Sequence, residues 1–295
     1  MPKFSVLWMS DPDFTQHAQA PGAPPAREAM KRSDEKLAMV LAALDAKGIR
    51  GKTDVLVVSD HGFSTVSDVV DIVEELSAAG LGVSRQFTTP PQTGHILLVN
   101  TGATLFFYVT GHDSGTVGRL VDHLQRARYS GVIFTREPQE GTFPLSAVHI
   151  DSADAPDVVL SMRWSDEKNK YGIPGMLWME AGRKLGTGMH GTLSPFDMHN
   201  TLIAAGPDFP EGTVEPRPTG NVDVAPTILW ILGIRLAQPL DGRVLTGKGE
   251  PPAVEEIPPM EATRDLGTGK WRQYLRQVEC RNVTYFTEGN GKQGD

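Results

Sequence analysis

Apolar positions change period along the chain, and each period predicts an element. Residues 3–9 and 54–58 are compact runs rich in Val, Leu and Phe, the pattern of strands buried on both faces of a parallel sheet. From Pro25 to Lys47 the residues Met30, Leu37, Val40, Leu41 and Leu44 fall on one helical stripe, and Gly48 supplies a C-terminal stop. A strand, a helix and a second strand in that order predict a crossover, hence an α/β fold. Further helices are expected from Ser67 or Asp68 to Ala79, over Gly115–Ala127 and over Asp223–Leu232, where Pro226 is tolerated in the first turn. Strands are expected near 95–100, 104–109, 131–135 and 157–162 and over Thr201–Ala205. Between Arg163 and Met189, Gly, charge and scattered aromatics read as a long surface loop crossing toward a site. No internal repeat is visible.

Length and composition bound this picture. With 295 residues and 39% hydrophobic content the chain can bury a full core in one large unit, 1–250. The stretch 251–295 reads as a C-terminal wrap, with Pro251-Pro252 and Pro258-Pro259 as linker signals and a frayed end at Lys292-Gln-Gly-Asp. A net charge of -8 with interspersed Lys and Arg argues against a nucleic-acid-binding surface, which needs a clustered basic stripe. The apolar runs are far shorter than the roughly 20 residues that cross a bilayer, and the first residues lack a signal-peptide pattern. Cys280 is the sole cysteine, so an intrachain disulfide and a cysteine-rich zinc site are excluded. A metal would need His and carboxylate.

Such residues occur where strands end, the edge at which ligands gather in open α/β sheets. Asp13 and His17 follow the run 3–9 in Ser10-Asp-Pro-Asp-Phe-Thr-Gln-His17, and a helical turn would place both side chains on one face. Asp60 and His61 follow the run 54–58 in Ser59-Asp-His-Gly62, where a tight loop can turn both toward one point. His190 lies in Gly186-Thr-Gly-Met-His-Gly191. Taken singly, Asp13 could equally cap a helix, Asp60 could be only a turn former, and each His could be a packing residue. The ordered pattern of Asp-x-x-x-His, then Asp-His-Gly, then a distant His-Gly is what points to a carboxylate and imidazole site for zinc or a similar ion.

That pattern resembles the alkaline phosphatase superfamily, and within it the type I phosphodiesterase/nucleotide pyrophosphatase group. The resemblance runs from Trp8 to about Leu245 and includes Asn200-Thr-Leu-Ile-Ala-Ala-Gly-Pro-Asp-Phe209, Asn221-Val-Asp-Val-Ala-Pro-Thr-Ile-Leu229 and Leu240-Asp-Gly-Arg-Val-Leu245. It implies a mostly parallel central sheet with helices on both faces. It also implies two zinc ions, one on Asp13, His17 and His190 and the other on Asp60 and His61, acting on a small phosphoester or nucleotide. Relatives are often periplasmic or secreted. The family's nucleophilic Ser or Thr and a further Asp ligand lie N-terminal to every motif seen here, so the chain is expected to lack that segment, one complete metal site and half of a second remaining. Thr15, Ser64 and Thr65 lie near the ligands but not in the family's nucleophile position, and Gln16 departs from the Gly that the diesterases carry before this His. The alternative is a non-catalytic metal-binding remnant. Asn282-Val-Thr284 also matches a glycosylation acceptor.

Overall fold

The structure, a computed structural model, describes residues 2–246 and 253–294. The chain enters through residues without strand structure into helices α1 (Asp13–Gln19) and α2 (Pro24–Ala46), then strands β1 (Val55–Val58) and β2 (Ser64–Val70). Helix α3 (Ile72–Ala78) and strands β3 (Val83–Ser84), β4 (Ile96–Thr101) and β5 (Thr104–Val109) follow, then helix α4 (Ser114–Arg126) and strands β6 (Ser130–Thr135), β7 (Phe143–Pro144) and β8 (Val158–Met162). Next come β9 (Trp164–Lys168), β10 (Pro174–Glu180), β11 (Gly188–Met189), helix α5 (Pro195–Met198), β12 (Leu202–Ala205) and helix α6 (Val224–Ile231). The chain closes with β13 (Val254–Glu256), β14 (Met260–Asp265), β15 (Lys270–Cys280) and β16 (Val283–Gly294). The α/β class is as expected. Its pairings are mixed, with parallel ladders at β2/β10, β3/β4 and β6/β7 among antiparallel neighbours.

The main core lies between the sheet β3-β4-β5-β8-β6-β7 and the sheet β11-β2-β10-β9. Ile72 and Leu76 of α3 and Val117, Leu120 and Leu124 of α4 fill it together with Phe107, Leu160 and Leu177. Strands β6 and β8 are buried on both faces: Ile133 and Leu160 point into this core, while Val132 and Val159 join Phe134, Phe143 and Leu275 on the opposite side. Double burial is why these two strands read as unbroken apolar runs.

Four expectations change. Residues 3–9 form no strand, and their side chains stand in solvent, Trp8 being 76% exposed. An extended segment gains little unless its N–H and C=O groups meet a neighbouring strand, and β1 pairs only with β12 here. Residues 67–70 belong to β2, and α3 starts after Asp71, whose carboxylate accepts from the Val73 and Glu74 amides. The stretch 163–189 is no loop: β10 pairs with β2 at the centre of its sheet and β9 forms the edge, where a charged Ser-Asp-Glu-Lys is tolerated. Lastly, the expected C-terminal wrap contains a hairpin of β15 and β16 that packs across β6, with residues through Gly294 paired and a turn at Arg281-Asn282 in left-handed backbone. The boundary at 250, the Pro251-Pro252 signal and the terminal Asp295 lie outside the described residues.

Trp271 of β15 is fully buried and donates its indole N–H to Gly141 O at 2.9 Å. Removing so large a side chain from a packed interior costs about 3–5 kcal/mol. Urea denaturation of Trp271→Ala should therefore show an unfolding free energy lowered by that amount and a lower midpoint; an unchanged midpoint would mean that the C-terminal sheet adds little to the core.

Candidate metal centre

Three segments converge on one point. The register β11/β2 places Met189 opposite Ser64, so His190, the next residue, arrives beside the loop Asp60-His-Gly-Phe63. That loop is held from its other side by the residues just before β12 and by Asn221: the Ser59 amide donates to Thr201 O, the Asn200 side chain to Ser59 O, and the Asn221 side chain to Asp60 O. Helix α1 packs against β11, and its His17 bonds to Gly188 O at 3.2 Å. The stretches around Asn200 and Asn221 thus brace the Asp60 loop.

The five candidate residues Asp13, His17, Asp60, His61 and His190 meet here. Asp13 Oδ1 lies 3.5 Å from His17 Nε2, 3.8 Å from His61 Nε2 and 4.0 Å from His190 Nε2, and Asp60 Oδ1 is 3.6 Å from His61 Nε2. Asp13, His61 and His190 each offer a ligand atom within 4.8 Å of the others. This grouping cuts across the division implied by the resemblance, which sets His61 with Asp60. Rings of His61 and His190 stack with centroids 3.4 Å apart, and Phe63 stands edge-on to His17 and His190. Asp60 is the outlying member, its side chain 61% exposed.

Two observations fit a cation. Asp13 Oδ1 is buried and has no hydrogen-bond partner, a state that costs roughly 1–3 kcal/mol or more unless something positive meets it. Secondly, His17 and His61 direct Nδ1 at the carbonyls of Gly188 and Gly62. A carbonyl only accepts, so Nδ1 carries the proton, and in the neutral ring Nε2 is left with a lone pair facing Asp13. The capping role open to Asp13 is filled instead by Asp11, whose carboxylate accepts from the Thr15 amide and hydroxyl and is held below the usual range by that hydroxyl.

Glycines make the convergence possible. A Cβ at Gly62 would run into the carbonyl of Phe196, and Gly191 has φ +101°, a conformation that side chains disfavour. The neighbouring hydroxyls are committed elsewhere: Thr15 to Asp11, Ser64 to Asp197 at 2.6 Å, and Thr65 as acceptor from Asn169 at 2.9 Å. His95, His112 and His123 sit away from the cluster, bonded or paired to Ser84, Asp157 and Glu75. Asp197, a residue with no visible signature of its own, is buried behind both ligand loops. Its carboxyl is pushed up by burial, against the pull of the hydroxyl and amide donors around it.

Burial, reinforced by the positive potential of His61 and His17, pushes His190 down to about 4. An unfolded histidine takes a proton near pH ~6.5. Between those values the unfolded chain binds more protons, so stability falls as pH drops through the window. In chelator-treated protein the urea midpoint should decline from pH ~6.5 toward 4, and His190→Gln should flatten that decline; equal slopes in both proteins would refute the burial argument.

The family model described as type I phosphodiesterase / nucleotide pyrophosphatase matches residues 1–185. Among curated proteins no sequence matches. The fold is similar to that of murine ectonucleotide pyrophosphatase / phosphodiesterase 5, with TM-score 0.57 and 18% identity, covering 79% of this chain and 54% of that one. An inactive variant of the same murine protein in complex with AMP aligns with TM-score 0.56 and 17% identity over the same shares of the two chains. The chain therefore spans about half the length of these structures. Its match over more than half of its own residues makes it a member of the type I phosphodiesterase / nucleotide pyrophosphatase family.

Proposed function

We propose that this chain carries the zinc-binding part of a phosphoester hydrolase acting on nucleotide-like diesters or pyrophosphates. The observation that carries this reading is the buried, unpartnered Asp13 Oδ1 facing the Nε2 atoms of His17, His61 and His190. One carboxylate with three imidazoles is a donor set suited to zinc. The chemistry that such an ion supplies is Lewis acidity toward a phosphoryl oxygen and a lowered pKa for a coordinated water.

The side chains divide the remaining work. Asp13 provides anionic charge at the centre, while the Gly188 and Gly62 carbonyls orient the rings of His17 and His61 so that Nε2 faces inward. Burial keeps His190 uncharged at neutral pH, ready to donate a lone pair. Phe63 walls the cluster on one side and limits water there. Exposed Asp60, with His61 at hand, forms the open margin toward solvent. That the murine protein is described in complex with AMP supports a nucleotide as the substrate class.

A second reading, metal binding without turnover, is favoured by the commitments of Thr15, Ser64 and Thr65, which leave none of these hydroxyls poised as a nucleophile. Zinc analysis after dialysis separates the readings from a metal-free alternative. About one tightly held ion per chain is expected, because with His61 joined to Asp13, His17 and His190 only Asp60 is left of the candidate ligands, too few donors for a second tight site, and the ion should be lost in His190→Ala. Hydrolysis of bis(p-nitrophenyl) phosphate by this chain should be slow or absent; absence of zinc from the wild-type protein would overturn the assignment.

A further inference from the structure

We infer that Asp197 is a positioning residue that locks the loops bearing His61 and His190 to each other and so sets the geometry of the metal centre. The inference rests on the metal-binding reading above and extends it to a residue outside the ligand set. Asp197 is the third residue of the short helix α5, and only 4% of it is exposed.

Both ends of this residue are engaged. Its Oδ1 accepts from the Ser64 hydroxyl at 2.6 Å, and Ser64 lies three residues after His61. Its Oδ2 accepts from the Thr192 amide at 2.9 Å and the Thr192 hydroxyl at 2.6 Å, two residues after His190. The backbone carbonyl of Asp197 accepts from the Gly62 amide at 2.7 Å, directly beside His61. Its own amide is held by Ser194, whose hydroxyl and carbonyl both lie at 3.1 Å. One residue thus bridges the two ligand loops, with its carboxylate facing hydroxyl and amide donors alone.

Consequences for the metal follow from rigidity. The His61 and His190 rings are stacked at 3.4 Å, and both present Nε2 to the same carboxylate oxygen. Sliding of one loop against the other would carry one imidazole off that point. A shared buried acceptor suppresses the slide, because neither loop can move without leaving hydroxyl and amide donors unpaired. Groups that orient ligands in this way typically matter by about 10- to 100-fold in metal affinity.

The test is cobalt(II) titration, followed through its visible absorption, of full-length wild type, Asp197→Asn, Asp197→Ala, Thr192→Val and Asp157→Asn, with thermal unfolding of each apo protein. Asp157 is an equally buried carboxylate that accepts from the Val109 amide in the other sheet, so its variant should lose stability with unchanged cobalt affinity. Asp197→Ala and Thr192→Val should bind cobalt about 10- to 100-fold more weakly with altered band positions, and Asp197→Asn, which keeps an amide oxygen for Thr192, should recover part of the affinity. Should Asp197→Ala fail to fold, Thr192→Val carries the measurement. Wild-type affinity in Thr192→Val and Asp197→Asn would overturn this inference alone, whereas a wild type that takes up no cobalt would overturn the metal reading with it.

Discussion

An acceptor buried without a donor is the constraint on which the rest of this site depends. Asp13 Oδ1 has surrendered water and received no hydrogen bond in exchange, although it begins a helix whose free amides lie close by. The rest of the side chain is 46% exposed, so it is this one oxygen that favours neighbours offering positive charge or sharing a cation with it. The three imidazoles gathered around it come from segments far apart in sequence, and each is fixed by a strand pairing or a carbonyl rather than by the carboxylate itself. The scaffold therefore imposes the cluster, and the cluster does not hold the scaffold together.

How the scaffold does this is visible in its two-sheet construction. The six-stranded sheet and the C-terminal hairpin pack together, with cores on both faces of β6 and β8. The sheet of β2 and β10 packs on it and is flanked by the loops that carry His61 and His190. By contrast, β1 and β12 make a two-stranded ladder among the described residues, and Ile203 of β12 is exposed.

Much of this was legible in the chain. Strands β6 and β8 announced themselves because burial on both faces demands uninterrupted apolar residues, and α4 because its buried positions recur at helical spacing. The convergence of Asp13, His17, Asp60, His61 and His190 could be anticipated because Asp and His beside Gly at strand ends have few structural uses in combination. Strand β9 was hidden by its place at the sheet edge, where charge is tolerated, and the run 3–9 misled because apolar character shows what could be buried rather than what is. Asp197 was concealed most effectively. Ser194 three residues before it reads as an ordinary helix cap, and the Ser194 hydroxyl does accept from the Asp197 amide, yet the Asp197 carboxylate turns away toward Ser64 and Thr192.

The C-terminal hairpin also bears on the order in which the molecule matures. The Gly289 amide of β16 donates to Leu193 O, Gly289 O accepts from the Trp164 indole, and α5 packs against the same strand. The segment between His190 and Asp197 is therefore steadied by residues almost a hundred positions later. Contacts of such long sequence separation form late, because the entropy of closing the intervening chain must be met before they return anything. A ribosome that has released the chain only as far as His190 has freed Asp13, His17, Asp60 and His61 but not the strand that steadies the segment after His190, so the cluster takes its final shape toward the end of folding.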